Sequence, residues 1–261
     1  MPVSLDQILR STRGGLDTVH ARRTSLERDV AASRAPASFR AALRKDTVAV
    51  IAEVKRRSPS AGAIREDLDP AERAALYAQH GAAAVSVLTD GPYFGGSIQD
   101  LRAAVHRSSV PVLRKDFILD EVQILEARAA GAAAVLLIVR ALASRLRPLL
   151  RYAADLQLDA LVEVHTAEEL TTALEAGASI IGVNSRDLDT FEIDMERAWK
   201  ILARVPAECI AVAESGMAGP KDVQGAAAAG ADAVLIGTAL SAAVSPGGLL
   251  QALTRVVRHG R

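Results

Sequence analysis

The sequence predicts an α/β protein folded as a (β/α)8 barrel of the TIM type with an additional N-terminal helical segment. Two observations carry the prediction. Four segments of the chain read alike, each a helix-like stretch closed by a glycine and followed by a β-branched run. Between them lie further short runs that are continuously apolar rather than alternating, as in strands covered on both faces.

The four like segments are His80-Gly-Ala-Ala-Ala-Val-Ser-Val-Leu, Ala130-Gly-Ala-Ala-Ala-Val-Leu-Leu-Ile, Ala176-Gly-Ala-Ser-Ile-Ile-Gly-Val-Asn and Ala229-Gly-Ala-Asp-Ala-Val-Leu-Ile-Gly. Gly81, Gly131, Gly177 and Gly230 stand where a helix C-terminus should feed a buried strand. The intervening runs are Val48–Val54, Val110–Leu113, Leu161–Val164 and Ile210–Ala213. A repeat of about 50 residues thus holds two strands and two helices, and four repeats make eight βα units. A doubly wound open sheet is the competing architecture. It would carry a Gly-rich fingerprint after its first strand, and none is present.

Residues 1–45 precede the repeat and are read as an N-terminal helical extension, with 46–261 as the barrel of a single domain. The extension is polar and Arg-rich, with a capping box expected at Ser4 to Gln7 and an interruption at Gly14-Gly15. It is either a solvated, partly disordered arm or an extra helix over one mouth of the barrel.

Composition excludes several classes. With 31 basic and 31 acidic residues the formal net charge is zero, which gives no argument for a nucleic-acid or membrane partner. The longest apolar stretch, Ala129 to Val139, is well short of the roughly 20 residues that span a bilayer. Residues 1–30 lack an apolar leader core, so a cytoplasmic location is expected, and no second barrel is expected beyond the eighth unit. The single cysteine, Cys209, cannot form an internal disulfide, and the histidines are too dispersed for a metal cluster. No metal and no cofactor are called for.

In such a barrel the chemistry sits at the C-terminal ends of the strands. Five strand ends carry polar groups: Glu53 and Lys55, Lys115 with Asp116, Glu163, Asn184 with Arg186, and Glu214. Glu53 and Lys55 are two apart and share a strand face, so mutual pairing is expected. A buried salt-bridge network would explain one such residue, but not two lysines, three glutamates and an asparagine together. Depressed lysine and raised carboxylate pKa values would suit proton transfer near neutral pH. His165 is expected to be structural.

The loops point to a phosphate. Ser58-Pro-Ser60-Ala-Gly62 follows strand 1, Ser215-Gly216 follows strand 7, and Gly237-Thr238 follows strand 8. Glycines after the last two strands let backbone N–H groups approach an anion. Lys55-Arg56-Arg57 lacks the interleaved aromatics of a nucleic-acid patch.

Six ordered motifs carry a family likeness: Ile51-Ala-Glu-Val-Lys-Arg-Arg-Ser-Pro-Ser60, Tyr93-Phe-Gly-Gly-Ser97, Pro111-Val-Leu-Arg-Lys-Asp-Phe117, Leu161-Val-Glu-Val-His165, Ile181-Gly-Val-Asn-Ser-Arg-Asp-Leu188 and Val212-Ala-Glu-Ser-Gly216. Across about residues 39–258 the chain resembles indole-3-glycerol phosphate synthase. The resemblance implies ring closure of 1-(2-carboxyphenylamino)-1-deoxyribulose 5-phosphate with loss of carbon dioxide and water. It implies Lys115 as the acid that activates the ketone and Lys55 as carboxylate binder and second proton donor. Glu163 would be the acid/base partner, and Glu53 would orient the lysines and substrate hydroxyls. Asn184, Glu214 and Arg186 would be supporting contacts. Phe94, Phe117, Leu136 and Ile138 would line the anthranilate pocket, with Ser58, Ser215, Gly216, Gly237 and Thr238 around the phosphate. The implied partner is a small phosphorylated substrate alone, for a monomer or weak homodimer.

The residues themselves agree, since carbonyl attack, decarboxylation and dehydration need two acid roles and one base role. They also leave three alternatives: a Schiff-base aldolase using Lys115, a phosphosugar isomerase, and a non-catalytic phosphate-binding barrel.

Overall fold

The computed structural model describes residues 3–260. Eight parallel strands close into a barrel, each bonded to its sequence neighbours and the last to the first. They are β1 Ala49–Val54, β2 Ala84–Leu88, β3 Val112–Lys115, β4 Ala134–Ile138, β5 Asp159–Val164, β6 Ile180–Asn184, β7 Ile210–Glu214 and β8 Ala233–Ile236. Nearly every strand residue is buried, as the unbroken apolar runs require. The third strand starts later than its apolar run, because Pro111 has no N–H to give to the ladder. Strand β5 starts earlier, at Asp159.

The four repeat glycines have φ of +94°, +86°, +95° and +96°. Each reverses the chain from a helix into the next strand in a conformation that a side chain would strain. No helix among the described residues is long and apolar enough to cross a membrane.

Three helices precede β1: α1 Leu5–His20, α2 Arg23–Ala32 and α3 Phe39–Ala42. The capping box at Ser4 and Gln7 is present. The expected interruption at Gly14-Gly15 is not: α1 runs through both glycines, and the break falls at Ala21-Arg22. Buried Leu5, Ile8 and Leu9 anchor the helix on the barrel, and that burial outweighs the roughly 1 kcal/mol that each glycine costs relative to alanine.

The arm is therefore ordered, and it straps the flank. Leu26 of α2 packs with Val122 and Leu125 of α6, Glu121–Ala129, which follows β3. Arg22 pairs with Glu126 at 3.0 Å. Arg128 donates to Ser33 Oγ and to the Arg34 carbonyl at 2.7 and 3.0 Å. At its end α1 meets the loop after β3, with His20 Nε2 3.4 Å from Asp120 Oδ1, and α3 reaches the other end of the barrel. Phe39 and Leu43 are fully buried, and the N–H of Arg40 bonds the carboxylate of Asp159, the first residue of β5, at 2.8 Å. That is the N-terminal mouth, opposite the strand ends that carry charge.

In the outer ring α4 Pro70–Gln79, α5 Ile98–Arg107 and α7 Leu146–Asp155 follow β1, β2 and β4. The next three matter below: α8 Ala167–Ala176 after β5, α9 Met195–Leu202 after β6, and α10 Pro220–Ala228 after β7. The single tryptophan, Trp199 on α9, packs so closely over Gly225 of α10 that any side chain there would meet its ring.

Candidate active site

At the C-terminal mouth lies a cavity of about 450 Å³, within the usual size of a small-molecule site. All of the candidate residues border it: Glu53, Lys55, Ser58, Phe94, Lys115, Phe117, Leu136, Ile138, Glu163, Asn184, Arg186, Glu214, Ser215, Gly216, Gly237 and Thr238. The strand period explains why. Alternate residues point inward, and the four odd-numbered strands contribute Glu53, Lys115, Glu163 and Glu214, as the layered filling of such barrels distributes them.

Lys115 is the hub. Its Nζ lies 3.7 Å from Glu163 Oε2 and 3.8 Å from Glu214 Oε2. Lys55 Nζ lies 3.3 Å from Glu53 Oε1, the mutual pairing expected from their shared face. Asn184 Nδ2 donates to Glu163 Oε1 at 3.1 Å, and Asn184 Oδ1 accepts the N–H of Arg186 at 3.0 Å. Two glycines make room for the carboxylates. A side chain at Gly182 on β6 would collide with Glu214 Oε1, and one at Gly237 with Glu53 Oε1. Gly237 thus answers a packing need inside the barrel as well as a place on its rim.

The electrostatics correct one expectation. Burial alone would lower Lys115, but Glu163, Glu214 and Glu53 outweigh it and hold the ammonium above the usual lysine range rather than below. The raised group is Glu214. Burial and the neighbouring Glu163 carboxylate push its pKa well above the ordinary carboxylate range. Both oxygens of Glu214 and Oε2 of Glu163 are buried without a hydrogen-bond partner among the described residues, so this cluster is poised for polar atoms of a ligand. Arg186 is lowered by burial, and its guanidinium donates to the Phe191 carbonyl at 2.9 Å.

One wall is apolar. Phe94 ends a one-turn helix, Gly91–Phe94, capped by Asp90, which accepts from the N–H groups of Tyr93 and Phe94. Its ring centroid lies 6.1 Å from that of Phe117, tilted by 40°. Asp116 fixes Phe117 by accepting its N–H at 2.8 Å, and is itself held by Arg114 at 3.0 Å. The loop after β6 adds Leu188, Phe191 and Ile193 to the cavity lining, Ile193 beside Gly216, which sequence reasoning missed. Their signal was three large apolar residues inside an otherwise polar loop.

The rim after β7, β8 and β1 is rich in hydroxyls and N–H groups. Ser215 and Gly216 are consecutive left-handed residues, with φ of +66° and +75°. Thr238 opens a one-turn helix, Thr238–Ala242, whose first N–H groups have no acceptor within the helix. Ser58 Oγ accepts the Ala61 N–H at 3.2 Å beside Ser60.

Comparison with known proteins adds to this geometry. The family model described as indole-3-glycerol phosphate synthase matches residues 5–252. An indole-3-glycerol phosphate synthase of Parafrankia sp. (strain EAN1pec) is 48% identical over 261 residues, covering 98% of this chain and 96% of that protein. One from Mycobacteroides abscessus is 50% identical over 225 residues, covering 86% and 83%. Among solved structures, a thiamine phosphate pyrophosphorylase from Pyrococcus furiosus superposes with a TM-score of 0.58 at 18% identity, covering 81% of this chain and 95% of that one. At that identity it speaks to the fold alone.

Proposed function

The chain belongs to the indole-3-glycerol phosphate synthase family, and from that premise we propose how its residues close the indole ring. The reaction is that of a carboxy-lyase of tryptophan biosynthesis. It converts 1-(2-carboxyphenylamino)-1-deoxyribulose 5-phosphate to indole-3-glycerol phosphate, carbon dioxide and water.

Lys115 donates a proton to the substrate ketone as the ring carbon attacks it. The observation that carries this role is its ammonium, buried between Glu163 and Glu214 and kept charged by them. An imine-forming lysine would instead need a neutral amine, so borohydride should trap no adduct. The ring then loses carbon dioxide, which restores its aromaticity. Dehydration follows: Lys55, which also binds the substrate carboxylate, protonates the departing hydroxyl, and Glu163 removes a proton from the carbon beside the nitrogen. Two protons enter and one leaves, so each turnover of the carboxylate substrate takes up one proton from solvent.

Glu53 orients Lys55 and the substrate hydroxyls, and Asn184 aims Glu163. Glu214 and Arg186 supply supporting contacts. Phe94, Phe117, Leu136 and Ile138 hold the anthranilate ring. Ser58, Ser215, Gly216, Gly237 and Thr238 surround the phosphate. The chain works in the cytoplasm as a monomer or weak homodimer, built as a helical extension over 1–45 and a barrel over 46–261. Its only required partner is this phosphorylated substrate.

The test is product indole fluorescence with purified wild type, Lys115→Ala and Glu163→Gln. Turnover by the wild type with a loss of at least roughly 10²-fold in each variant is expected. A Glu163→Gln variant as fast as wild type would remove Glu163 from the mechanism.

A further inference from the structure

Beside Glu163 lies a buried titratable group that the mechanism above leaves unused. His165 is 1% exposed. Its Nδ1 is 3.3 Å from Glu169 Oε2 on α8, and its backbone N–H donates to the same oxygen at 2.7 Å. Its Nε2 makes no hydrogen bond among the described residues, and lies 3.4 Å from Glu163 Oε1. The imidazole therefore stands between the reacting carboxylate and a second carboxylate outside the cavity.

Glu169 continues the line outward. Its Oε1 accepts from Arg140 Nε at 3.2 Å, and Arg140 also pairs with Asp187 and Asp189 in the loop after β6, at 3.6 and 3.4 Å. Burial would raise Glu169, but hydrogen bonds from His165 and Arg140 hold it below the usual carboxylate range. Its charge gives the ring a reason to carry a proton on Nδ1. A ring with that proton alone would turn the Nε2 lone pair on Glu163. A hydrogen on Nε2 makes the ring a second donor toward Glu163 Oε1, beside the Asn184 amide that donates to the same oxygen at 3.1 Å.

We propose that His165 is a positioning residue for Glu163: its Nε2–H steadies the ionised carboxylate, and through Glu169 and Arg140 the chain of charges reaches the protein surface. The proposal rests on Glu163 being the base of the reaction. The groups that bear on His165 are Glu163 on its own strand, Glu169 on α8, Arg140 after β4 and Asp187 after β6. Removing the Nε2 donor should make Glu163 harder to ionise, so the acidic limb of the kcat profile moves to higher pH.

Three variants test this. His165→Asn can place an amide near Nδ1 but nothing at Nε2, whereas the longer His165→Gln reaches the Nε2 position. Glu169→Gln leaves the cavity untouched and removes the charge behind the ring. Steady-state kcat and KM across pH 5 to 9 are compared with wild type, after a melting curve shows each variant folded. We expect kcat for His165→Asn to fall about tenfold with KM within about threefold, and its acidic limb to rise by about one pH unit. Glu169→Gln should move the limb the same way, and His165→Gln should recover part of kcat. Profiles for His165→Asn and Glu169→Gln that overlay wild type, or that are lowered evenly at every pH, overturn the proposal. If His165→Asn does not fold, the Glu169→Gln profile decides alone. Glu163→Gln is run alongside. If it stays active, the base assignment itself has failed; if it is inactive while the limb stays fixed, only the role of His165 has.

Discussion

Gly182 and Gly237 show how a single missing carbon shapes the chemistry. Each lies on an inner face where a methyl group would overlap a carboxylate oxygen, of Glu214 and Glu53 respectively. Gly237→Ala is expected to push Glu53 off Lys55, lowering kcat/KM at least roughly tenfold in the indole assay, since misplacement of an oriented group is costly. Gly177 is the control. Its φ is +95° and a methyl group there would enter open space, so Gly177→Ala meets only backbone strain of about 1–2 kcal/mol. It should lower Tm by a few degrees with kcat unchanged. An equal loss of activity in both variants would mean that the two glycines act through the fold and not through the site.

At the scale of elements, the seam between the first and last units holds the lysine pair in place. Ser241, fully buried in the one-turn helix after β8, donates to the Glu53 carbonyl at 3.1 Å and accepts the Lys55 N–H at 3.2 Å. Ser241→Ala takes the acceptor from the Lys55 N–H and one donor from the Glu53 carbonyl, which also accepts from Tyr77 Oη at 3.4 Å. It should cost about 1–3 kcal/mol in urea unfolding, with a fall in kcat/KM larger than that of an equally destabilised surface variant. The arm and the barrel meet in a second network. Glu126 of α6 takes Arg114 from β3 at 3.0 Å and Arg22 from the arm at 3.0 Å. Glu126→Leu removes one of the two carboxylates on buried Arg114, which keeps Asp116 at 3.0 Å, and should cost about 1–3 kcal/mol, whereas Arg22→Met, at a side chain 41% exposed, should cost less than about 1 kcal/mol. Comparable losses would show the arm to be integral to the fold.

These same elements mark what was legible in sequence. The strand ends were readable because two-residue parity puts Glu53, Lys115, Glu163 and Glu214 on inner faces without any knowledge of their neighbours. The continuity of α1 through Gly14-Gly15 was not, because it comes from the burial of Leu5, Ile8 and Leu9 against distant chain. Nor was the apolar loop of Leu188, Phe191 and Ile193, whose place over the cavity depends on how β6 and α9 are joined. The direction of the Lys115 shift depended on distances to β5 and β7, which no spacing within β3 encodes.

For the molecule as a whole, the crowded carboxylates tie stability to pH. A carboxyl raised on folding above its ordinary value of 4.5 favours the folded state fully below that pH. The contribution is lost as pH climbs through the folded value. Glu214 is such a group, so at neutral pH its burial works against the fold. Glu214→Gln should therefore melt with wild type near pH 4 and above it at pH 7 to 8, the gap widening between. A gap that is constant with pH would place the cause in packing rather than ionisation.

The position of Trp199 has an optical consequence. It is the chain's only indole, it packs against Gly225 on the outer ring, and it does not border the cavity. Its emission should report the mating of α9 with α10 and remain silent to whatever occupies the barrel mouth. On the proposed mechanism, product formation sets a second indole in a different surrounding, close to Phe94 and Phe117. The protein then carries two spectrally related reporters, one tracking the integrity of the shell and the other the progress of the chemistry.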